Sequence, residues 1–153
     1  MADGGLKELH KARGGAWGGT KVDEEIYNMI IKIIGAPVWS KFKDENTSDY
    51  HDLQTELETK KRYITTESTE KITITVPVKS VQTYEKDSGE TIDEAIDGSI
   101  YRGKIKWLSN KLRIDAEVFR DFFKPCTEQI VAHVKSLLKD PQVIDTKIFF
   151  MVG

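Results

Sequence analysis

The sequence predicts an α/β fold, helices on a sheet with an α+β subdomain inserted in the middle, and three observations carry that prediction. Four glycines within Gly14-Gly15-Ala16-Trp17-Gly18-Gly19 lead directly into a helix-periodic run. A period of two takes over at Ile72-Thr73-Ile74-Thr75-Val76 and again between Ile100 and Ile114. The final residues, Ile148-Phe149-Phe150-Met151-Val152 before Gly153, form the continuous apolar run of a strand covered on both faces. The glycine loop and this last run stand at opposite ends of the chain, so they can pair in space while the middle forms its own layer. The expected boundaries are a flexible leader at 1–5, a larger subdomain from 6–35 and 115–153, and the inserted subdomain at 36–114.

The first element is expected at Leu6–Ala12, a short strand entering the glycine loop. Glycine lets backbone approach a ligand, and a helix start attracts anions; the simpler reading is that these glycines only turn the chain. Thr20 and Asp23, three apart, read as an N-cap pair for the first helix. Val22, Ile26, Met29, Ile30 and Ile33 recur on one face of that helix, Glu24 and Glu25 fall in its first turn, and Gly35 with Pro37 stops it.

Trp39 and Phe42 follow in a short basic segment, and 44–49 is a polar connector. A second helix from about Ser48 to Ile64 places Tyr50, Leu53, Leu57 and Ile64 on one side. If its last turn holds, Glu58, Lys61, Arg62 and Thr65, at i, i+3, i+4 and i+7, form one patch beside the apolar stripe. The plain alternative is a solvated face with a Glu58–Arg62 pair.

Ile72 to Val76 reads as a strand, and Lys79 to Tyr84 is expected to return as its partner. Asp87-Ser88-Gly89 marks a turn, Thr91 to Ile96 a short helix, and Ile100 to Leu108 a further strand, ending at Ser109-Asn110 before Leu112 and Ile114. Together these make a small, largely antiparallel sheet. Asp115 is placed to cap a helix containing Val118, Phe119, Phe122 and Phe123, which Pro125 should break or kink. Ile130, Val131, Val134, Leu137 and Leu138 continue a helical stripe to Lys139, where Asp140-Pro141 stops it.

Composition narrows the function. A chain of 153 residues with 39% hydrophobic and 31% charged residues is expected to form a globular domain with a real core. Its 23 basic and 25 acidic residues are interleaved to a net charge of −2, which supplies no field to gather nucleic acid or an anionic membrane. The run Met29–Ile34, interrupted by Lys32, is too short to span a bilayer, and no signal-peptide core opens the chain, so a cytoplasmic location is expected. The single cysteine, Cys126, precludes an internal disulfide and reads as a packed small hydrophobe. His10, His51 and His133 lack metal-ligand spacing and read as surface or boundary residues, so no metal site is expected.

Three blocks in this order, the glycine loop with its helix, Glu58-x-x-Lys61-Arg62-x-x-Thr65, and the terminal Ile148 to Gly153 run, resemble one family. It is the seventy-kilodalton heat-shock proteins, in the second lobe of their nucleotide-binding domain. The segments Gly14 to Asp23 and Phe123-Lys124-Pro125 look like those of the family's divergent twelfth-member group. The resemblance implies an actin-like ATPase fold in part, with adenosine between the two halves of the lobe. It implies that Glu58 and Lys61 hydrogen-bond the ribose hydroxyls, that Arg62 lies along the adenine face, and that Thr65 reaches the base edge. It also implies that Gly19 lies near the phosphates and that Gly153 opens an adenosine-side turn. Each role suits its chemistry: a carboxylate accepts from hydroxyls, an ammonium donates to them, and a planar guanidinium stacks on a ring.

The implied ligand is ATP or ADP, with magnesium only through the nucleotide in an intact parent, and the implied protein partner is a co-chaperone or nucleotide-exchange protein. Thr20 and Lys21 depart from the acidic residues that conventional members carry after the loop glycines. The first phosphate loop, catalytic lysine, magnesium-positioning carboxylates and second phosphate loop would belong to segments before Leu6. Phosphoryl transfer rests on those clamps, so this chain alone is expected to be catalytically inactive, without catalytic residues of its own. The expectation is therefore a fragment of a chaperone-like ATPase, cut within a motif at Gly153, that retains the adenosine-facing half of the site. The alternative is a non-enzymatic interaction module that presents its sheet and helices to a co-chaperone-like partner.

Overall fold

The computed structural model describes residues 14–148; the expected strand at Leu6–Ala12 and the terminal run from Phe149, with Gly153, lie outside them. The chain order is α1 (Gly19–Ile34), α2 (Ala36–Glu45), α3 (Thr47–Tyr63), β1 (Ile72–Thr75), α4 (Val78–Ser88), α5 (Ile92–Gly98), β2 (Ile105–Leu108), β3 (Lys111–Ile114), α6 (Ala116–Asp121) and α7 (Lys124–Leu137). This is a helix-rich arrangement around a small antiparallel sheet.

Helix α1 is the hub. It buries Val22, Ile26, Met29, Ile30, Ile33 and Ile34, and packs against α2, α3, α5 and α7. Its start differs from the expected cap: Gly18 occupies the N-cap position in an extended conformation, with no side-chain cap bond. Thr20 therefore lies inside the first turn, too late to reach the orphan N–H groups, and Glu24 and Glu25 lie beyond that turn. The exit follows expectation, since Gly35 has φ 82° and ψ 149°, and its N–H reaches the Ile31 carbonyl. Pro37, however, sits in the first turn of α2, where its missing N–H costs nothing.

The basic segment with Trp39 and Phe42 is thus a helix, and both rings are buried. They pack with Tyr27 and Tyr50 in an aromatic cluster that joins α1, α2 and α3. The polar connector shrinks to Asn46 between two helices.

The sheet order is β1-β3-β2, antiparallel throughout. Ile74, Leu112 and Trp107 align across the strands, as do Ile72, Ile114 and Ile105, and these two rows face the core. The partner of β1 is β3, so the returning strand expected at Lys79–Tyr84 is absent: those residues are in α4. They bury Ser80, Val81 and Tyr84, the one-and-four spacing of a helix rather than alternation. Gly89 ends α4 in the left-handed conformation. Helix α5 opens with a complete capping box between Thr91 and Glu94.

Asp115 stands at the N-cap of α6 but its side chain makes no cap bond; its carboxylate pairs with Lys71 at 2.8 Å. Phe119 and Phe122 are buried, with Phe119 fully so. Pro125 begins α7 rather than kinking a longer helix. On α7 only Cys126 is buried; Val131 is half exposed, so the expected stripe is only partly covered by the described chain. The core is one cluster running from Val22 to Cys126. No helix among the described residues is long and apolar enough to cross a membrane.

Candidate functional site

The glycine loop is anchored by its tryptophan. The Trp17 indole packs on the His133 ring of α7, with centroids 5.1 Å apart, while the Trp17 backbone N–H donates to the Gly15 carbonyl at 2.9 Å. A Cβ on Gly15 would meet the Trp17 ring at 2.4 Å, so glycine at that position gives the indole its space. The loop then delivers Gly18 and Gly19 to the start of α1.

At that start the loop meets α3. The Lys61 ammonium donates to Asp23 Oδ2 at 2.9 Å, to Glu58 Oε1 at 2.5 Å and to the Gly19 carbonyl at 3.3 Å. All three of its donors are thereby used. The Lys61 side chain is 7% exposed and that of Asp23 18%, whereas that of Glu58 is 57% exposed. Burial pushes the Lys61 pKa down, but the hydrogen bonds to Asp23 and Glu58 outweigh it and the net shift is upward. The hydrogen bond from Lys61 holds the Glu58 carboxyl below its ordinary range. A Cβ on Gly19 would lie 3.1 Å from Lys61 Nζ, so glycine also leaves room for this contact.

Of the residues singled out in sequence, the structure therefore brings Gly19, Glu58 and Lys61 together. Arg62 is exposed one residue on, with no ion pair among the described residues. The Glu58–Arg62 pair is replaced by Glu58–Lys61, because Lys61 already lies against α1 and draws Glu58 toward it. Thr65 does not join the patch. Helix α3 ends at Tyr63, Ile64 is extended, and Thr65 turns to bond Ser68 through its N–H at 2.9 Å. Arg120 donates to the Ser68 carbonyl and ties that turn to α6. Gly153 lies outside the described residues.

Asp23 was missed as a member of this cluster. Its place three residues after Thr20 suggests a cap, and only the approach of α3 turns its carboxylate to Lys61. The remaining candidates keep modest roles. Cys126 is a buried free thiol, His51 is exposed, and His133 backs Trp17. No group of three or more His, Cys, Asp or Glu among the described residues is arranged to hold a metal ion.

The fold and this cluster define a mixed helix and sheet domain whose glycine loop is clamped by a charged helix end. The chain is homologous to the heat shock 70 kDa proteins 12A and 12B, so the resemblance read from its motifs stands. It is 32% identical over its whole length to heat shock 70 kDa protein 12A of Homo sapiens and of Mus musculus, and 30% identical over 98% of its length to heat shock 70 kDa protein 12B of Homo sapiens. It spans 22–23% of the length of these curated relatives. No family model matches the chain, and no solved structure matches it.

Proposed function

We propose that the chain is part of the second lobe of a heat-shock chaperone-like nucleotide-binding domain with an actin-like fold, carrying the adenosine-facing half of an ATP or ADP site and inactive in hydrolysis by itself. The observation that carries this reading is the contact of Lys61 with Glu58, Asp23 and the Gly19 carbonyl, which joins two of the three sequence blocks at one point. The residues suit adenosine. Glu58 is open to solvent and can accept from ribose hydroxyls, the adjacent Arg62 is exposed for stacking on a base, and Gly19 leaves backbone accessible near Lys61. A ribose hydroxyl taken up by Lys61 would replace its longest contact, the Gly19 carbonyl.

Thr65 remains assigned to the base edge and Gly153 to the adenosine-side turn. The division into 6–35 with 115–153 and the inserted 36–114 belongs to the same proposal, as does a cytoplasmic parent that carries magnesium with its nucleotide. Affinity in the isolated chain is expected to be weak, since phosphates without their clamps stay in water.

The test is a titration of isotopically labelled protein with adenosine, ADP and ATP, following resonances of Gly19, Glu58, Lys61, Arg62 and Thr65. Localised saturable shifts that Arg62→Ala weakens support the site. An absence of shifts at millimolar ligand removes it from this chain. The second reading, an interaction module for a co-chaperone-like partner, draws support from the partly uncovered α7 stripe, where Val131 is half exposed. It would be favoured if Arg62→Ala left adenosine response unchanged while substitutions in β1 abolished partner binding.

A further inference from the structure

The sheet turns one face to the core and the other to solvent, and the solvent face is strongly basic. Its two outward rows are Thr73, Arg113 and Lys106, and Thr75, Lys111 and Leu108. Lys60 of α3 stands at the rim of a groove of about 440 Å³ that Lys111 and Arg113 also line. None of these four cations has an ion pair among the described residues. Two carboxylates lie close by: Glu56, which also lines the groove, accepts the Thr75 N–H at 2.8 Å, and Asp115, beyond the end of β3, pairs with Lys71, so the four cations leave a net positive face.

The register sets Lys106 directly opposite Arg113 on the neighbouring strand. Like charges so placed destabilise a sheet unless an anion lies between them. Charges that are interleaved along the chain to a net −2 are thus sorted by the fold into one cationic surface.

We propose that this face docks an extended acidic segment of a partner protein. Lys111 and Arg113 stand two residues apart on one strand, a separation of about 6.7 Å, which alternate carboxylates on an extended peptide share. Leu108, 48% exposed, and the Thr73 and Thr75 hydroxyls add apolar and hydrogen-bonding contacts. Nucleic acid fits less well, because the outward rows carry no ring on which bases could stack, the Trp107 side chain being turned to the core. The surface is independent of the Lys61 cluster and of any nucleotide.

The experiment is fluorescence anisotropy of a short labelled peptide of alternating Glu and Ser, titrated with the full chain. A Gln-Ser peptide, inorganic phosphate and an oligouridylate serve as comparisons. Saturable binding of the acidic peptide that weakens with salt is expected. Lys106→Glu is the decisive variant, because it turns the opposed pair with Arg113 into an attractive one. It should raise the thermal midpoint while weakening the peptide severalfold, a combination that damage to the fold cannot produce. Lys111→Glu with Arg113→Glu should weaken the peptide by about tenfold, and Lys32→Glu with Lys86→Glu, on α1 and α4, should leave it unchanged. The proposal is overturned if the acidic peptide does not bind, if it binds the Lys106→Glu variant as well as the parent, or if the oligouridylate binds more tightly than the peptide.

Discussion

Replacing Lys61 by methionine keeps an unbranched apolar stem, one atom shorter, and removes the charge that joins α1 to α3. At 2.8 Å and an effective dielectric of about 20, the attraction between Lys61 and Asp23 is roughly 6 kcal/mol before desolvation. Desolvation cancels much of this, and breaking a fully buried pair from one side costs about 3–5 kcal/mol, chiefly through the charge left behind. Asp23 retains 18% side-chain exposure and can partly rehydrate, so the expected loss is about 2 kcal/mol. Glu58, at 57% exposure, adds little because water takes over from Lys61. For a chain of this size the thermal midpoint should fall by about 4–8 °C. Urea denaturation of Lys61→Met, Asp23→Asn and the double variant separates the pair from the packing of the lysine stem. A loss below about 0.5 kcal/mol, or a double-mutant cycle with no coupling between Asp23 and Lys61, would refute the claim that this cluster clamps the loop.

Other outcomes follow from the same structure. The Glu58 pKa is lowered below its ordinary 4.5, so its stabilisation is complete above pH 4.5 and disappears as pH falls through the folded value. The Lys61 pKa is raised above 10.5, so its stabilisation is complete below pH 10.5 and disappears as pH rises through the folded value; Lys61→Met should flatten both limbs of urea midpoint against pH. Phe119→Ala, at a fully buried ring, should cost about 3–5 kcal/mol in equilibrium unfolding. Gly35→Ala, forced into a φ of 82° with ψ 149°, should cost about 1–3 kcal/mol, and a loss as small as that of an exposed surface substitution would contradict the backbone argument. Ser109 holds φ 60° in the β2–β3 turn, so Ser109→Gly should gain about 0.5 kcal/mol by relief of that conformation.

Patterns that depend on near neighbours in the chain were legible before any fold was known. The apolar face of α1 repeats over several turns, long enough for its period to be unmistakable, and the short helix at Thr91 to Ile96 was legible as well. The hairpin around Ser109-Asn110 was likewise legible, because a turn of two polar residues separates two alternating runs. The segment at Lys79–Tyr84 failed for want of length. Six residues with only Val81 and Tyr84 as large apolar groups fit either period, and packing of Ser80, Val81 and Tyr84 selected the helix. Thr65 was placed on a helical face that ends two residues earlier, since an exposed helix end is decided by what the next turn bonds, here Ser68.

The amino-acid sequence by itself thus determined the face of α1, the hairpin turn and the resemblance that relatives bear out, because each is written in residues a few positions apart. The tertiary structure decided which side chains meet across distance. It turned Asp23 from an expected cap into a partner of Lys61, 38 residues away. It paired β1 with β3 instead of its neighbour in the chain, and that register gathered Lys106, Lys111 and Arg113 onto one face. Charge and hydrogen-bonding capacity belong to residues, but the free energy they contribute depends on separation and burial, and those exist only once the helices and strands have packed.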